Sequence, residues 1–374
     1  MWLLRLTTEK RSRWRKDAVK KIMNKWEDNV RKVVPYVPGE QPKQKNIIKL
    51  NTNECPYLPA PGITEALKQY DAGMLRRYPD PECGRLTERL AEEYGLSKEN
   101  VFVGVGSDDV LAIAFMTFFN SSEKILFPDI TYSFYDVWAN LYGIPYETQP
   151  LDENFHLVKE DYMKKNGGII FPNPNAPTGL EEDFADIEEI IANNRDVVVI
   201  VDEAYVDFGG HSVLPLIKKY DNLLVVQTFS KSRALAGIRI GFAMGNEKLI
   251  HYMNDVKFSF NSYTINRITE VVGCACLEDR KYFEDTVKKV IATREWTKKE
   301  LSRLGFTFGD SKANFIFATH RERKAKDIFE ALKKAGIFVR YFDKPRIDNY
   351  LRISIGTDEE MRKLTDFLEE YLKN

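Results

Sequence analysis

Four polar motifs of this 374-residue chain could carry chemistry, and each lies at the end of a predicted β-strand. They are GVGSDDV at 104–110, FPNPNAPTG at 171–179, DEAYVDF at 202–208 and TFSKSRALAGIRIGF at 228–242. The last motif is the most specific, because its Lys231 lies between an apolar strand and the apolar run at 234–240. An amine in such surroundings has its charged form disfavoured, which suits Schiff-base chemistry with an aldehyde.

The other three motifs each have a plain structural interpretation beside a functional one. Two glycines turn the first motif, and a helix predicted to begin near Ser107 would present unpaired amides that attract phosphate. Asp202 leaves a buried strand and needs a partner, which could be an arginine, a loop amide or a protonated ring nitrogen. In the last case Tyr205 could donate a hydrogen bond to a phenolate oxygen on the same ring. The Pro- and Asn-rich motif by itself predicts only a rigid loop.

The elements that must position these motifs follow from the apolar pattern. From about residue 60 to 285, short apolar runs alternate with helix-period segments, which is typical of an α/β fold with a mostly parallel sheet covered by helices. The predicted strands are 101–105, 125–128, 168–172, 197–203, 223–228 and 241–244. Five consecutive apolar residues at 197–201 indicate a central strand, so its carboxyl end should border a site.

After about residue 290 the pattern changes to that of a smaller α+β unit. Strands are predicted near 306–308, 314–318, 337–341 and 350–355. A last helix should begin at Thr357, because Thr357 and Glu360 have the spacing of a capping box. The predicted organisation is a basic extension at 1–25, an N-terminal arm with part of the small domain at 26–58, a large domain at 59–288 and a small domain at 289–374.

Composition excludes several classes of function. Lys and Arg number 55 against 56 Asp and Glu, so no overall field favours nucleic acid or an anionic membrane. No stretch reaches the roughly 18 apolar residues that a membrane span requires. The four cysteines form no CxxC pair and the four histidines are scattered, which predicts neither a disulfide framework nor a metal site. The reducing cytoplasm is the expected compartment.

The first 25 residues differ from the rest, with nine basic residues against two acidic ones. We interpret them as a solvated extension rather than a presequence or a nucleic-acid arm. Met23 opens a natural-looking start, so residues 1–22 could be an addition upstream of the functional chain.

The order of the four motifs, with Asp202 29 residues before Lys231 and Arg239 eight residues after it, resembles the fold-type I pyridoxal-phosphate aminotransferases. The chain is most similar to their histidinol-phosphate aminotransferase family, and the resemblance extends from about residue 26 to the C-terminus. It is carried by VPYVPGEQP at 34–42, LNTNECPY at 50–57, RRYPDP at 76–81 and YLRISIGT at 350–357.

The resemblance implies pyridoxal 5'-phosphate as the cofactor, joined to Lys231, which would also be the catalytic base. Asp202 would keep the pyridine nitrogen protonated, Tyr205 and Asn175 would hydrogen-bond the 3'-oxygen, and Tyr132 would stack on the ring. The family pattern has Asn immediately before the Pro of PTG, where this chain has Ala176. The residues implied to hold the cofactor phosphate are Gly106, Ser107, Asp108, Thr228, Ser230 and Arg239.

For the substrates, the resemblance implies that Arg352 pairs with an α-carboxylate. Tyr36, Tyr78 and Arg340 would face the substrate side chain and its phosphate, with Asn53 as a further candidate. Tyr78 would reach in from the partner subunit, so a homodimer is expected. The expected partners are a small-molecule amino donor and a 2-oxo acid.

The expected reaction interconverts L-histidinol phosphate and 2-oxoglutarate with imidazole acetol phosphate and L-glutamate. The alternatives with the same fold are an aromatic amino-acid aminotransferase and an amino-acid-phosphate decarboxylase, which differ in the side-chain pocket and in the bond broken. A non-catalytic regulator that keeps the cofactor is a further alternative, although no helix-turn-helix pattern appears in the sequence.

Overall fold

The computed structural model describes residues 26–42, 44 and 46–373. Its backbone divides into two compact units, Met1–Tyr36 and Val37–Asn374. Of the first unit only residues 26–36 are described, and there Glu27–Asn29 form a short 3-10 helix without a buried residue. The basic extension predicted at 1–25 lies outside the described residues.

A seven-stranded sheet forms the centre of the second unit. Its strands are β2 (Val101–Gly104), β3 (Ile125–Pro128), β4 (Tyr146–Gln149), β5 (Ile169–Pro172), β6 (Val199–Asp202), β7 (Leu223–Thr228) and β8 (Gly241–Gly245), and β1 (Ile48–Lys49) precedes them in the chain. The order across the sheet is β2, β8, β7, β6, β5, β3, β4, and only the two pairs that include β8 are antiparallel. The predicted mostly parallel sheet is confirmed.

All six strands predicted for this sheet are confirmed to within two residues at each end. The edge strand β4 was missed, and its burial explains why. It pairs only with β3, and of its four residues only Gln149 is buried, so its sequence YETQ carries no apolar run. An edge strand that contributes little to the core leaves little apolar signal.

Helices cover both faces of the sheet. They are α1 (Pro61–Lys68), α2 (Gly84–Tyr94), α3 (Gly106–Phe118), α4 (Tyr135–Tyr142), α5 (Phe184–Asn193), α6 (Glu247–Phe260) and α7 (Arg267–Glu278). In β6, Val199 and Val201 pack into the core formed with α1, α2, α5 and α7, and Ile200 packs into the core formed with α3, α4 and α6. Because both faces of β6 are buried, its sequence is apolar at consecutive positions.

The C-terminal part contains α8 (Arg280–Arg303), β9 (Phe306–Phe308), β10 (Phe315–His320), α9 (Ala325–Lys334), β11 (Ile337–Phe338), β12 (Arg340–Tyr341), β13 (Leu351–Ser354) and α10 (Asp358–Lys373). An antiparallel sheet has the order β12, β13, β10, β9, and β11 instead pairs in parallel with β1. The single strand predicted at 337–341 is therefore wrong. The chain passes from one sheet to the other around the buried Val339, and the apolar residues 337–339 give no sign of that break.

The last helix is capped as predicted. The amide of Thr357 donates to Oε2 of Glu360 at 2.8 Å, and the amide of Glu360 donates to Oγ1 of Thr357 at 3.2 Å. Leu364 and Leu368 of α10 are fully buried.

The helix α8 continues across the predicted domain boundary at residue 288, and Val287 and Val290 on either side of it pack in one core with β10 and β13. The divisions at 58 and 288 remain predictions. No helix among the described residues combines the length and apolar character needed to cross a membrane.

Candidate active site

Asp202 ends the buried strand β6 and is 4% exposed. Its Oδ2 accepts a hydrogen bond from the Tyr135 hydroxyl at 3.0 Å, and its Oδ1 accepts one from the amide of Ala204 at 3.2 Å. Burial raises the pKa of Asp202 to about 6, although both hydrogen bonds lower it. The carboxylate therefore accepts two hydrogen bonds in a site with little water. A cationic partner binds strongly to a carboxylate in such an environment.

Lys231 follows β7, the neighbour of β6, so its side chain starts at the same edge of the sheet as Asp202. Its Nζ lies 3.4 Å from the carbonyl oxygen of Thr52 and 5.6 Å from the ring centroid of Tyr205. The structure thus brings the predicted amine, carboxylate and phenol to the carboxyl ends of two adjacent parallel strands.

A glycine-lined recess lies where α3 begins. Gly106 has φ +81°, and a Cβ there would lie 2.3 Å from Nη2 of Arg239. A Cβ on Gly241 would lie 2.3 Å from the amide nitrogen of Ser107. Two glycines therefore allow a guanidinium and the first turn of a helix to meet with no side chain between them. Unpaired amides at a helix start together with a guanidinium form an anion site.

The hydroxyl groups predicted for this recess are also present. Thr228 Oγ1 lies 3.0 Å from Ser230 Oγ, which in turn lies 3.4 Å from Nη1 of Arg239. Asp108 accepts from Nη2 of Arg239 at 3.3 Å and from the Tyr132 hydroxyl at 2.7 Å. Tyr132, the residue predicted to stack on the cofactor ring, is thus connected through Asp108 to the glycine-lined recess.

Tyr205 and the two candidate asparagines are buried. Asn53 Nδ2 donates to the Tyr205 hydroxyl at 3.0 Å, so the Asn53 predicted for the substrate contacts a predicted cofactor residue. Asn175 Nδ2 donates to the carbonyl of Ile130 at 3.0 Å and to Thr178 Oγ1 at 3.1 Å. The roles assigned to Asn53 and Asn175 from the sequence remain predictions.

Arg340 and Arg352 lie opposite each other in the antiparallel pair β12 and β13. The guanidinium of Arg352 donates to the carbonyl of Asn51 at 3.1 Å and lies 5.4 Å from the ring centroid of Phe315. The Phe315 ring also meets the Tyr205 ring edge-on, with centroids 5.1 Å apart. Phe315 therefore connects the predicted substrate arginine with the predicted cofactor residues.

Tyr78 is 77% exposed, and its described contacts are with Tyr263 and Arg267 rather than with the residues above. Tyr36 belongs to the separately described first unit.

Tyr135, whose hydroxyl donates a hydrogen bond to Asp202, was not predicted from the sequence. Its only signal was a second tyrosine three residues after Tyr132 in TYSFY, and nothing in that spacing indicates a carboxylate partner.

A family model described as aminotransferase class I and II matches residues 45–368. The chain belongs to this aminotransferase family. The histidinol-phosphate aminotransferase of Clostridium beijerinckii is 52% identical over 349 residues, which are 93% of this chain and 98% of that protein. That of Lactococcus lactis is 50% identical over 348 residues, which are 93% and 97% of the two chains. The crystal structure of histidinol-phosphate aminotransferase from Sinorhizobium meliloti in complex with pyridoxal-5'-phosphate has a TM-score of 0.78 at 24% identity, over 87% of this chain and 91% of that one.

This aminotransferase uses pyridoxal phosphate as its cofactor, like the other members of its family. The site fits that cofactor on its own geometry. The recess between Gly106, Gly241 and Arg239 suits a phosphate, the buried Asp202 suits a protonated ring nitrogen, and Lys231 supplies the amine.

Proposed function

We propose that this aminotransferase interconverts L-histidinol phosphate and 2-oxoglutarate with imidazole acetol phosphate and L-glutamate, a step of histidine biosynthesis. The observation that carries the proposal is the similarity, over 93% of the chain and at 50% identity or more, to relatives named histidinol-phosphate aminotransferase. The two substrates react in turn at one site. Histidinol phosphate first donates its amino group, and 2-oxoglutarate then accepts it.

Pyridoxal phosphate, when bound, supplies an aldehyde that condenses with amines and a ring that accepts the electrons released at the substrate Cα. Lys231 would hold the cofactor through its aldehyde carbon, and its free amine would take up and return the proton at the substrate Cα. Asp202 would pair with the protonated ring nitrogen. Tyr205 and Asn175 would hydrogen-bond the 3'-oxygen, and Tyr132 would pack on the ring face.

The cofactor phosphate is held by backbone amides, hydroxyls and one guanidinium in this proposal. The contact between Arg239 and Ser230 and the close approach of Arg239 to Gly106 support it. The planar guanidinium can donate to two phosphate oxygens at once. The complete set is Gly106, Ser107, Asp108, Thr228, Ser230 and Arg239.

The two facing arginines are the basis for substrate binding. Like charges directly opposite each other on adjacent strands repel, so an anion between Arg340 and Arg352 is favoured. Arg352 pairs with the α-carboxylate of glutamate, and Arg340 faces the phosphate of histidinol phosphate. Asn53 and Tyr36 complete the substrate contacts in this proposal.

We further propose that the enzyme is a homodimer in which Tyr78 of each subunit enters the active site of the other. The high exposure of Tyr78 in the single chain supports this, because it leaves the ring accessible to a second subunit. In this proposal the large domain at 59–288 carries the cofactor residues, residues 26–58 form an N-terminal arm and part of the small domain, and residues 289–374 form the small C-terminal domain. The cytoplasm is the proposed compartment.

The test is to incubate the holoenzyme separately with histidinol phosphate, phenylalanine and threonine phosphate, each with 2-oxoglutarate. We expect glutamate to form fastest with histidinol phosphate, without release of carbon dioxide. Faster turnover of phenylalanine would favour an aromatic aminotransferase, and carbon dioxide from threonine phosphate would favour a decarboxylase. Either result would reject the proposal, and so would specific DNA binding without turnover of any amine.

A further inference from the structure

The segment that carries Tyr78 buries very little of itself. Residues 71–78 are all exposed, and the 3-10 helix Ala72–Arg76 within them has no buried side chain. Residues 75–79 border a cavity of about 380 Å³ that Asn266 and Arg267 line from the other side. Segments with few buried contacts open locally at low free energy. The position of Tyr78 therefore depends on the polar contacts that hold this backbone.

Arg267, the first residue of α7, binds the backbone on both sides of one peptide unit. Its Nε donates to the carbonyl of Arg77 at 3.4 Å, and its Nη2 donates to the carbonyl of Tyr78 at 2.6 Å. Hydrogen bonds from a charged donor are stronger than neutral ones, and the rigid guanidinium fixes both acceptors in one orientation. This contact restrains the backbone at Arg77 and Tyr78.

Tyr263 determines where the Tyr78 ring points. The two rings stack with centroids 4.7 Å apart and planes 27° apart. Tyr263 lies four residues before Arg267, so the backbone and the ring of Tyr78 are both contacted by the short stretch 263–267 that leads into α7.

The chain after Tyr78 is anchored as well. Lys257 of α6 is 2% exposed and donates from Nζ to the carbonyl of Pro81 at 2.8 Å. The Asp80 carboxylate accepts from the amides of Glu82 at 3.1 Å and Gly84 at 2.9 Å, where α2 begins. The backbone is therefore anchored from residue 80 onwards by Lys257 and Asp80. At residues 77 and 78 it is restrained by Arg267.

We propose that Arg267 is a positioning residue that holds Tyr78 in the orientation in which it meets the phosphate-bearing substrate in the other subunit. This inference rests on the proposed function, from which it takes the homodimer and the role of Tyr78. Arg267 acts through two backbone carbonyls and does not touch the substrate itself. The hydrogen bonds that the described residues show for Arg267 go to Arg77 and Tyr78, and not to the cofactor residues of its own subunit.

The first test is Arg267→Ala in the holoenzyme. We expect the KM for histidinol phosphate to rise by about tenfold to a hundredfold, because small misplacements of a substrate-contacting group are costly. The KM for glutamate should not change, and amide hydrogen exchange should accelerate at Arg77, whose amide donates to the carbonyl of Met74 at 3.2 Å. An unchanged KM for histidinol phosphate, or equal rises for both substrates, would overturn the inference.

Arg195→Ala is the matched control. Arg195 is another arginine that donates to a backbone carbonyl, that of Lys219 at 3.4 Å, and it also pairs with Asp221 at 3.6 Å. It precedes β6, at the edge of the sheet opposite to Asp202. We expect both KM values to stay at those of the wild type. If Arg267→Ala does not fold, Tyr263→Leu removes the ring contact instead and should raise the same KM.

Hybrid dimers decide in which subunit Arg267 acts. Subunits with Arg267→Ala are mixed with subunits with Lys231→Ala, whose homodimers are inactive. The one competent site of the hybrid has Lys231 from the first subunit and receives Tyr78, with an intact Arg267, from the second. We expect its KM to return to that of the wild type, and a KM that stays raised would overturn the inference.

A parallel hybrid of Tyr78→Phe and Lys231→Ala tests the cross-subunit role of Tyr78 alone. If this hybrid recovers and the Arg267 hybrid does not, the positioning role fails while the proposed dimer stands. If the Tyr78 hybrid also fails to recover, or the wild type sediments as a monomer, the cross-subunit arrangement fails and the inference fails with it. Turnover of histidinol phosphate by the wild type is measured in the same assay, so loss of the proposed reaction is recognised separately.

Discussion

The hydroxyl of Tyr135 donates a 3.0 Å hydrogen bond to Oδ2 of Asp202, and both side chains are buried. A donor aimed at a carboxylate stabilises its charged form. Burial acts in the opposite direction and raises the pKa of Asp202 to about 6. The hydrogen bond therefore helps to keep the carboxylate charged at neutral pH, which its proposed pairing with a protonated ring nitrogen requires.

Removal of this donor should change the pH dependence of cofactor binding. In Tyr135→Phe the pKa of Asp202 should rise further, by about one unit for the loss of one hydrogen bond to a charged group. When the pH is lowered, a carboxylate with a raised pKa takes up its proton, and loses its charge, at a higher pH than in the wild type. Pyridoxal-phosphate affinity, measured by absorbance titration between pH 5 and 8, should therefore begin to fall at a higher pH in the variant.

Tyr162→Phe is the control for this experiment. Tyr162 is also fully buried, but its hydroxyl has no hydrogen-bond partner among the described residues. We expect its pH profile to match that of the wild type. A Tyr135→Phe profile that also matches would show that the hydroxyl does not affect the charge of Asp202.

Lys231 should be the one lysine that reacts with the cofactor. Borohydride reduction of the holoenzyme should leave a pyridoxyl group on Lys231 and none on Lys257, a more deeply buried lysine whose Nζ donates to Pro81. In Lys231→Ala the absorbance band of the bound cofactor should shift, and transamination should fall by orders of magnitude. An adduct at another lysine, found by mass spectrometry, would contradict the assignment.

The strands of the central sheet could be predicted from the sequence because a strand that is buried on both faces is a run of consecutive apolar residues. β6 is apolar at consecutive positions because its residues alternate between two cores, and its polar end, Asp202, is easily recognised. The edge strand β4 and the break between β11 and β12 have no such signal in the sequence. In β4 partial exposure removes the apolar signal, and the apolar residues 337–339 continue past the end of β11, so the change of partner strand leaves no signal there.

The same distinction applies to the site. Residues at strand ends, such as Lys231, were predicted from their place in the chain. Tyr135 and Arg267 were not, because each acts on a residue distant in sequence, Tyr135 on Asp202 and Arg267 on Tyr78. Contacts of this kind depend on how α4 and α7 pack, and one sequence alone does not determine that packing.

The facing arginines should separate the two substrates. Arg352→Ala should raise the KM for glutamate by about tenfold to a hundredfold, because a charge-assisted hydrogen bond contributes about 1.5–3 kcal/mol. Its effect on histidinol phosphate, which has no carboxylate, should be smaller. Arg340→Ala should show the reverse order. Equal effects of both variants on both substrates, in assays of each half-reaction, would show that the pair serves only as a general positive charge.

The close approach of Gly106 to Arg239 should be necessary for cofactor binding. In Gly106→Ala the new Cβ would lie 2.3 Å from the guanidinium, so Arg239 must move out of the recess. Gly143→Ala is a matched control, because Gly143 has a similar φ of +73° but no neighbouring atom within 4 Å of a Cβ. Both variants should lose about 1–2 kcal/mol of unfolding free energy from left-handed backbone strain. Only Gly106→Ala should also weaken pyridoxal-phosphate binding, by about tenfold or more for one lost charged contact. Equal affinities of the two variants in equilibrium titration would mean that Arg239 does not hold the phosphate.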